Sequence, residues 1–111
     1  MRIRPRFKLW FVGEDDEYVF GLGTMKLFAE IDRLGSVSAA ARELGMSYRY
    51  ALERITVVEK RLGRSLVERT RGGKEGGGAK LTAFGYELLG DYRGMEGSLS
   101  QLTKWYIDLS D

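Results

Sequence analysis

The chain has 111 residues, of which 43% are hydrophobic and 31% charged, and a formal net charge of +2 at pH 7. This suits one domain with a modest core, and an intracellular, cytoplasmic protein is the expectation. The lack of Cys removes disulfides and thiolate metal sites, and the lack of His removes the commonest general base and metal ligand, so neither a catalytic constellation nor a cofactor is expected.

The N-terminus is basic but alternates, unlike the apolar block of a signal peptide, and no apolar run approaches the ~18 residues of a membrane span. Residues 6–12 alternate Phe7, Leu9 and Phe11 with Lys8, Trp10 and Val12, the pattern of a strand with one drier face. Gly13-Glu14-Asp15-Asp16 reads as a turn, and residues 17–22 as a second strand with Tyr18, Phe20 and Leu22 on one side. The two strands make a hairpin that can lie over the core. Gly21-Leu22-Gly23 is too short for a nucleotide-binding fingerprint. Thr24 is expected to cap a helix that ends at Leu34 before Gly35, burying Leu27, Phe28, Ile31 and Leu34.

Ser36 is the N-cap of a short helix that contains three alanines and stops at Leu44-Gly45. Small residues let a second helix cross closely. Ser47 caps that second helix, which runs to about Leu62 and stops at Gly63. Ala51, Ile55, Val58 and Leu62 share one stripe and face a core, while Tyr48, Arg49, Glu53, Thr56 and Lys60 lie on the other side. Two helices, a tight turn and a basic second helix are the ingredients of a helix-turn-helix, and the exposed residue types suit base edges and phosphates. A merely solvated helix face is the alternative.

Residues 65–70 and 79–81 read as two strands around a glycine-rich tip, residues 72–78, with charge from Arg69, Arg71, Lys74 and Lys80. That is a wing whose tip can approach a phosphate or enter a narrow groove. A hairpin with no ligand is the other possibility. A phosphate-binding P-loop does not fit, because its Gly-Lys-Ser/Thr ending is absent. Thr82 should cap a last helix reaching about Leu109, roughly 42 Å long at ~1.5 Å per residue. Tyr92, Met95, Leu99, Leu102, Tyr106 and Leu109 recur on it at heptad-like spacing, which suits a partner helix in a symmetric dimer. Packing on the same chain's hairpin is the alternative, and Gly90, Gly94 and Gly97 either allow close contact or bend the helix.

Charge is unevenly spread. Residues 1–41 are neutral, residues 42–80 carry +5 and residues 81–111 carry −3. The positive field sits on the helix-turn-helix and the wing, where it would attract a polyanion.

Residues 35–69 resemble the DNA-binding module of LysR-type regulators. The small residues after Ser36, the capping Ser47 and the Leu-Gly-x-x-Leu-x-x-Arg exit at Leu62, Gly63, Leu66 and Arg69 carry the likeness. The Gly-Gly-Lys-x-Gly-Gly-Gly-Ala loop leading into Leu81-Thr82 is similar to the N-terminal domain of molybdate-responsive ModE-type regulators. The resemblance implies that the N-terminal hairpin is a dimerisation platform. Tyr50 and Leu52 depart from the ModE pattern, so the operator of that family is not carried over.

The expected fold is mainly α (α+β), a single winged helix-turn-helix domain over residues 1–111. Residues 1–23 form the hairpin, 24–82 the helix-turn-helix and wing, and 83–111 a long dimerisation helix. The expected function is that of a sequence-specific regulator of transcription that binds double-stranded DNA as a homodimer. It would be a stand-alone DNA-binding domain with no molybdate or small-molecule effector domain. Ser47, Tyr48, Arg49 and Glu53 would lie nearest base edges, and Arg71 and Lys74 would hold the backbone or minor groove. Arg42, Arg54, Lys60 and Arg64 are candidates for phosphates or for packing ion pairs. A winged-helix module that binds an acidic protein rather than DNA is the alternative.

Overall fold

Capping residues set most of the helix bounds. The computed structural model describes residues 1–71 and 77–110. In chain order these form β1 (Arg2–Ile3), β2 (Trp10–Val12), β3 (Tyr18–Gly21), α1 (Leu22–Leu34), α2 (Val37–Glu43), α3 (Tyr48–Leu62), β4 (Val67–Arg69), β5 (Ala79–Leu81), α4 (Ala83–Leu102) and β6 (Ile107–Asp108). The architecture is a winged helix-turn-helix. The Oγ of Ser36 accepts from the amide of Ala39 at 3.2 Å, and that of Ser47 from the amide of Tyr50 at 3.0 Å. Thr82 Oγ1 accepts from the Gly85 amide at 3.0 Å. Each satisfies an amide that the first helical turn leaves unpaired.

Between α2 and α3 the chain reverses through Gly45 at φ +70°, a left-handed conformation that glycine adopts without the steric cost of a Cβ. The two helices meet through alanine. Ala40, Ala41 and Ala51 are all buried, and with Phe28, Ile31, Ile55 and Val58 they form the centre of the core. Strands β4 and β5 pair antiparallel, with Val67 opposite Leu81 and Arg69 opposite Ala79.

The strands of the N-terminal hairpin, β2 and β3, pair antiparallel with a register shift between Phe11 and Val12. The alternation read from the sequence holds in the first strand: Phe7, Leu9 and Phe11 are half-buried while Lys8, Trp10 and Val12 are exposed. Regular pairing is shorter than residues 6–12, because β2 begins only at Trp10. In the second strand Tyr18 is exposed and Val19 is buried, so the expected face of Tyr18, Phe20 and Leu22 is broken. The ring of Phe20 stacks on Phe11 at 4.7 Å between centroids, and Tyr92 of α4 completes the aromatic cluster.

Two helix boundaries and the burial of one residue differ from the sequence reading. Helix α1 begins at Leu22 with Gly21 as its N-cap, so Thr24 lies inside the helix and is buried. Leu34, expected in the buried stripe, is exposed at the end of α1. Helix α4 ends at Leu102. The Oγ1 of Thr103 donates back to the Leu99 carbonyl at 2.9 Å, and the chain then straightens into β6, which pairs with β1. Tyr106 and Leu109 are therefore off the helix. Tyr92, the first residue of the proposed seam, is only 2% exposed, and its hydroxyl donates to the Leu9 carbonyl at 2.9 Å. Burial, aided by the negative charge of Glu96 and by Tyr18, pushes its pKa up, so it remains a donor. What remains of the seam on an outer helical face is Met95, Leu99 and Leu102, with Leu99 half-buried. Among the described residues no helix is long and apolar enough to cross a membrane.

Helix α4 passes the residue before β4 so closely that a Cβ on Gly85 would collide with the carbonyl oxygen of Leu66, which is main chain and cannot swing away. Gly85→Ala is expected to destabilise the fold by about 1–3 kcal/mol through overpacking. Denaturant unfolding would check this, and a variant as stable as the parent would show that the crossing yields.

Candidate nucleic-acid interface

Helix α3 presents a core face, an outward face and two flanks. Ala51, Ile55 and Val58 are buried in the core and Leu62 is half-buried at its edge. Directly opposite, at spacings of four, three and four residues, Arg49, Glu53, Thr56 and Lys60 are all exposed. Among the described residues none of Arg49, Glu53 and Lys60 takes part in an ion pair, which leaves both signs of charge available to a ligand. Thr56 is less free, because its hydroxyl donates to the Leu52 carbonyl at 2.9 Å.

The flanks of α3 differ. Tyr48, 47% exposed, leans toward the wing. It shares a cleft of about 560 Å³ with Ser36 and Ser38 at the start of α2 and with Arg69, Thr70 and Arg71 of the wing. Hydroxyls and guanidinium groups converge there with little apolar lining, which suits an anion and not a hydrophobe. On the other flank, Arg54 is half-buried and lines a groove with Tyr50, Met46 and Tyr18 of the hairpin. It stands aside from the outward stripe.

The remaining sequence candidates divide in the same way. The Oγ of Ser47 accepts from the Tyr50 amide as a cap, which leaves its hydroxyl proton and its second lone pair for an interface. Arg71 is exposed on the wing, and Arg42 is exposed on α2. Arg64 lies over the ring of Phe84, 4.5 Å from its centroid, which makes it a packing residue. Lys80 faces Glu68 across the wing at 3.8 Å, so its charge is partly offset. Lys74 lies outside the described residues. No group of His, Cys, Asp or Glu among the described residues could hold a metal ion.

The residue that fixes α3 against the wing was not singled out in the sequence. Glu59 Oε2 accepts from the amides of Leu66 at 2.7 Å and Val67 at 3.2 Å. A carboxylate in the last turn of a helix opposes the macrodipole unless nearby donors compensate it, and that misfit is the signal that could have found it. On the other side of the wing, the amide of Ala79 donates to the carbonyl of Gly35 at 2.8 Å, tying β5 to the helix-turn-helix.

The sequence and the fold are similar to those of known proteins. Residues 22–86 match the model of the bacterial regulatory helix-turn-helix protein, lysR family. The chain belongs to that family. It is a family of regulators and not of enzymes. Within it, the chain is similar to the molybdenum-pterin-binding protein MopB of Rhodobacter capsulatus, 40% identical over 82 residues, which are 74% of this chain and 30% of that protein. It is also similar to the DNA-binding transcriptional dual regulator ModE of Escherichia coli K12, 40% identical over 73 residues, which are 58% of this chain and 28% of that protein. The ModE-type resemblance of the wing is thus matched by identity along the domain. The crystal structure of the CbnR DBD–DNA complex superposes with a TM-score of 0.56 at 29% identity, covering 72% of this chain and 93% of that one. This LysR-family chain spans about 30% of the length of such curated relatives.

Glu59→Ala removes a charged acceptor from two backbone amides, and unfolding free energy should fall by about 1.5–3 kcal/mol. Amide hydrogen exchange at Leu66 and Val67 should speed up before that of the α1 core. Unchanged protection at both would remove Glu59 from its role as the tie.

Proposed function

We propose that this chain is the sequence-reading domain of a transcriptional regulator and that it binds double-stranded DNA as a homodimer. The observation that carries the reading is the stripe of Arg49, Glu53, Thr56 and Lys60, exposed opposite the core of α3 and flanked by the cationic wing cleft. On this reading the N-terminal half of α3 enters the major groove. Arg49 would then bond a guanine edge and Glu53 would accept from a cytosine amino group. A carboxylate facing a polyanion lowers affinity for every sequence, so Glu53 contributes discrimination and not affinity. Tyr48 and Ser38 with Arg69 and Arg71 hold phosphates, and Lys60, about three turns along α3, meets the backbone farther out. Arg54 and Arg64 are not assigned to DNA, because one lies on the hairpin flank and the other on Phe84. Similarity to ModE, a DNA-binding transcriptional dual regulator, and to CbnR DBD in its complex with DNA supports the reading.

Phosphate tracking by the wing and sequence reading by α3 should separate experimentally. Affinity for duplex DNA should fall with salt by ~0.9 log units per log unit of salt for each phosphate neutralised. Arg71→Ala should lower that slope by about one and weaken all sequences alike. Arg49→Ala should instead narrow the gap between selected and random sites by about 1–3 kcal/mol. Binding that ignores salt would favour an uncharged protein partner over DNA. Interchanged effects of the two variants would mean that helix and wing have been assigned the wrong way round.

For the dimer, the outer face of α4 offers Met95, 49% exposed, and Leu102, 69% exposed, beside half-buried Leu99. A two-fold contact there would set the spacing of two half-sites. Met95→Asp with Leu102→Asp changes only exposed positions, so the winged domain should stay folded while sedimentation shifts from dimer to monomer. A double variant that remains dimeric would place the interface elsewhere, with the hairpin as the next candidate.

A further inference from the structure

A cleft of about 680 Å³ opens between the N-terminal segment, the hairpin and the end of α4. Nothing in the DNA reading uses it. Its size falls within the ~300–1,000 Å³ of small-molecule sites. Exposed Trp10 and Tyr18 give it aromatic surface, while Arg4, Arg6 and Lys8 line it from the extended segment. The segment alternates: Arg4, Arg6 and Lys8 are exposed, and Pro5, Phe7 and Leu9 are half-buried. Among the described residues none of these three cations takes part in an ion pair. The carboxylate that shares the cleft is Glu96 of α4, so the cleft keeps a positive excess.

We propose that this cleft binds an organic anion, a flat and largely apolar body that carries one or two acidic groups. Each half of that description answers one part of the wall. A bare inorganic oxyanion would leave the aromatic surface uncovered, and a neutral hydrophobe would gain nothing from the three cations. Aromatic rings recognise a planar body through offset or edge-to-face contact, and guanidinium groups recognise carboxylate, sulfonate or phosphate by charge-assisted hydrogen bonds. The site borders the DNA-reading helix. Tyr18 lies 5.6 Å from the guanidinium of Arg61 in the last turn of α3, and that guanidinium donates to the Val19 carbonyl at 3.0 Å. The proposal is independent of whether DNA is the partner of α3.

The probes are 1-anilinonaphthalene-8-sulfonate and its neutral relative N-phenyl-1-naphthylamine, titrated by fluorescence against the parent chain, R6Q/K8Q and E96Q. Circular dichroism establishes that each is folded. The sulfonate should bind once per chain. Its dissociation constant should rise roughly tenfold in R6Q/K8Q and fall several-fold in E96Q, as Coulomb terms of opposite sign require. The neutral probe should bind all three chains alike. Equal sulfonate affinity in the three chains, or a neutral probe that follows the sulfonate, would overturn the proposal, because a merely apolar patch behaves that way. A parent chain that sediments as a dimer and excludes the sulfonate would overturn it too, since the second copy would then cover the cleft.

Discussion

The wing is tied to α3 through the main chain of Ser65, Leu66 and Val67. Glu59 of α3 takes the amides of Leu66 and Val67. Thr82 gives its amide to the Leu66 carbonyl at 3.0 Å and its hydroxyl to the Ser65 carbonyl at 2.8 Å. Gly85 lets α4 press on the same carbonyl, and the side chain of Leu66 is fully buried beneath. Three elements thus share one short stretch of backbone. A turn this close to the core would otherwise carry unpaired polar groups, and each of those would cost about 1–3 kcal/mol. The polar partners are therefore part of the fold's stability as well as its geometry.

A second tie closes the unit from the other side, where Gly35 accepts from Ala79. The wing is held at the start of β4 and at the start of β5, so its strands cannot pivot about α3 as a free hairpin would. A rigid relation matters for any surface that must match another rigid surface. Groups already fixed in place lose less entropy on binding than groups that must first be ordered. Tyr86 adds to this rigidity, since its hydroxyl donates to Asp32 at 2.6 Å and joins α4 to α1.

The parts legible in the sequence were those governed by local rules. Ser36, Ser47 and Thr82 cap the helices they were expected to cap, and Gly35, Gly45 and Gly63 occupy left-handed positions. The core stripe of α3 follows from periodicity, and the two strands of the wing from the glycine-rich stretch between them. The illegible parts needed a tertiary partner. Thr24 looks like a cap, but Gly21 starts the helix because β3 runs straight into it. The heptad-like series from Tyr92 to Leu109 was read as one helix, yet spacing alone cannot say that the chain leaves the helix at Thr103 to pair with β1. Nor could spacing show that Tyr92 turns inward: it fills the gap over Phe11 and Phe20 that a small hairpin leaves open. At the candidate interface the outward stripe of α3 was readable. The separation of Tyr48 from Arg54 onto opposite flanks was not, because it depends on where the hairpin and wing lie.

The distribution of exposed apolar residues completes the physical picture. On the outward stripe of α3 there is no large hydrophobic side chain, and Tyr48 and Tyr50 on its two flanks carry polar hydroxyls. Met1, Ile3, Trp10, Val12, Met95, Leu102, Trp105, Ile107 and Leu109 are instead exposed along the hairpin, the terminal strands and the end of α4. A face that meets water and phosphates gains from charge and hydroxyl groups, whereas a contiguous apolar surface gains only by being covered. The chain therefore divides its surface by chemistry along a body 64 Å in its longest dimension. Exposed charge and hydroxyl groups gather around α3 and the wing, and exposed apolar side chains gather around α4 and the hairpin. Arg61 of α3 joins the two, because its one guanidinium holds Val19 and faces Tyr18.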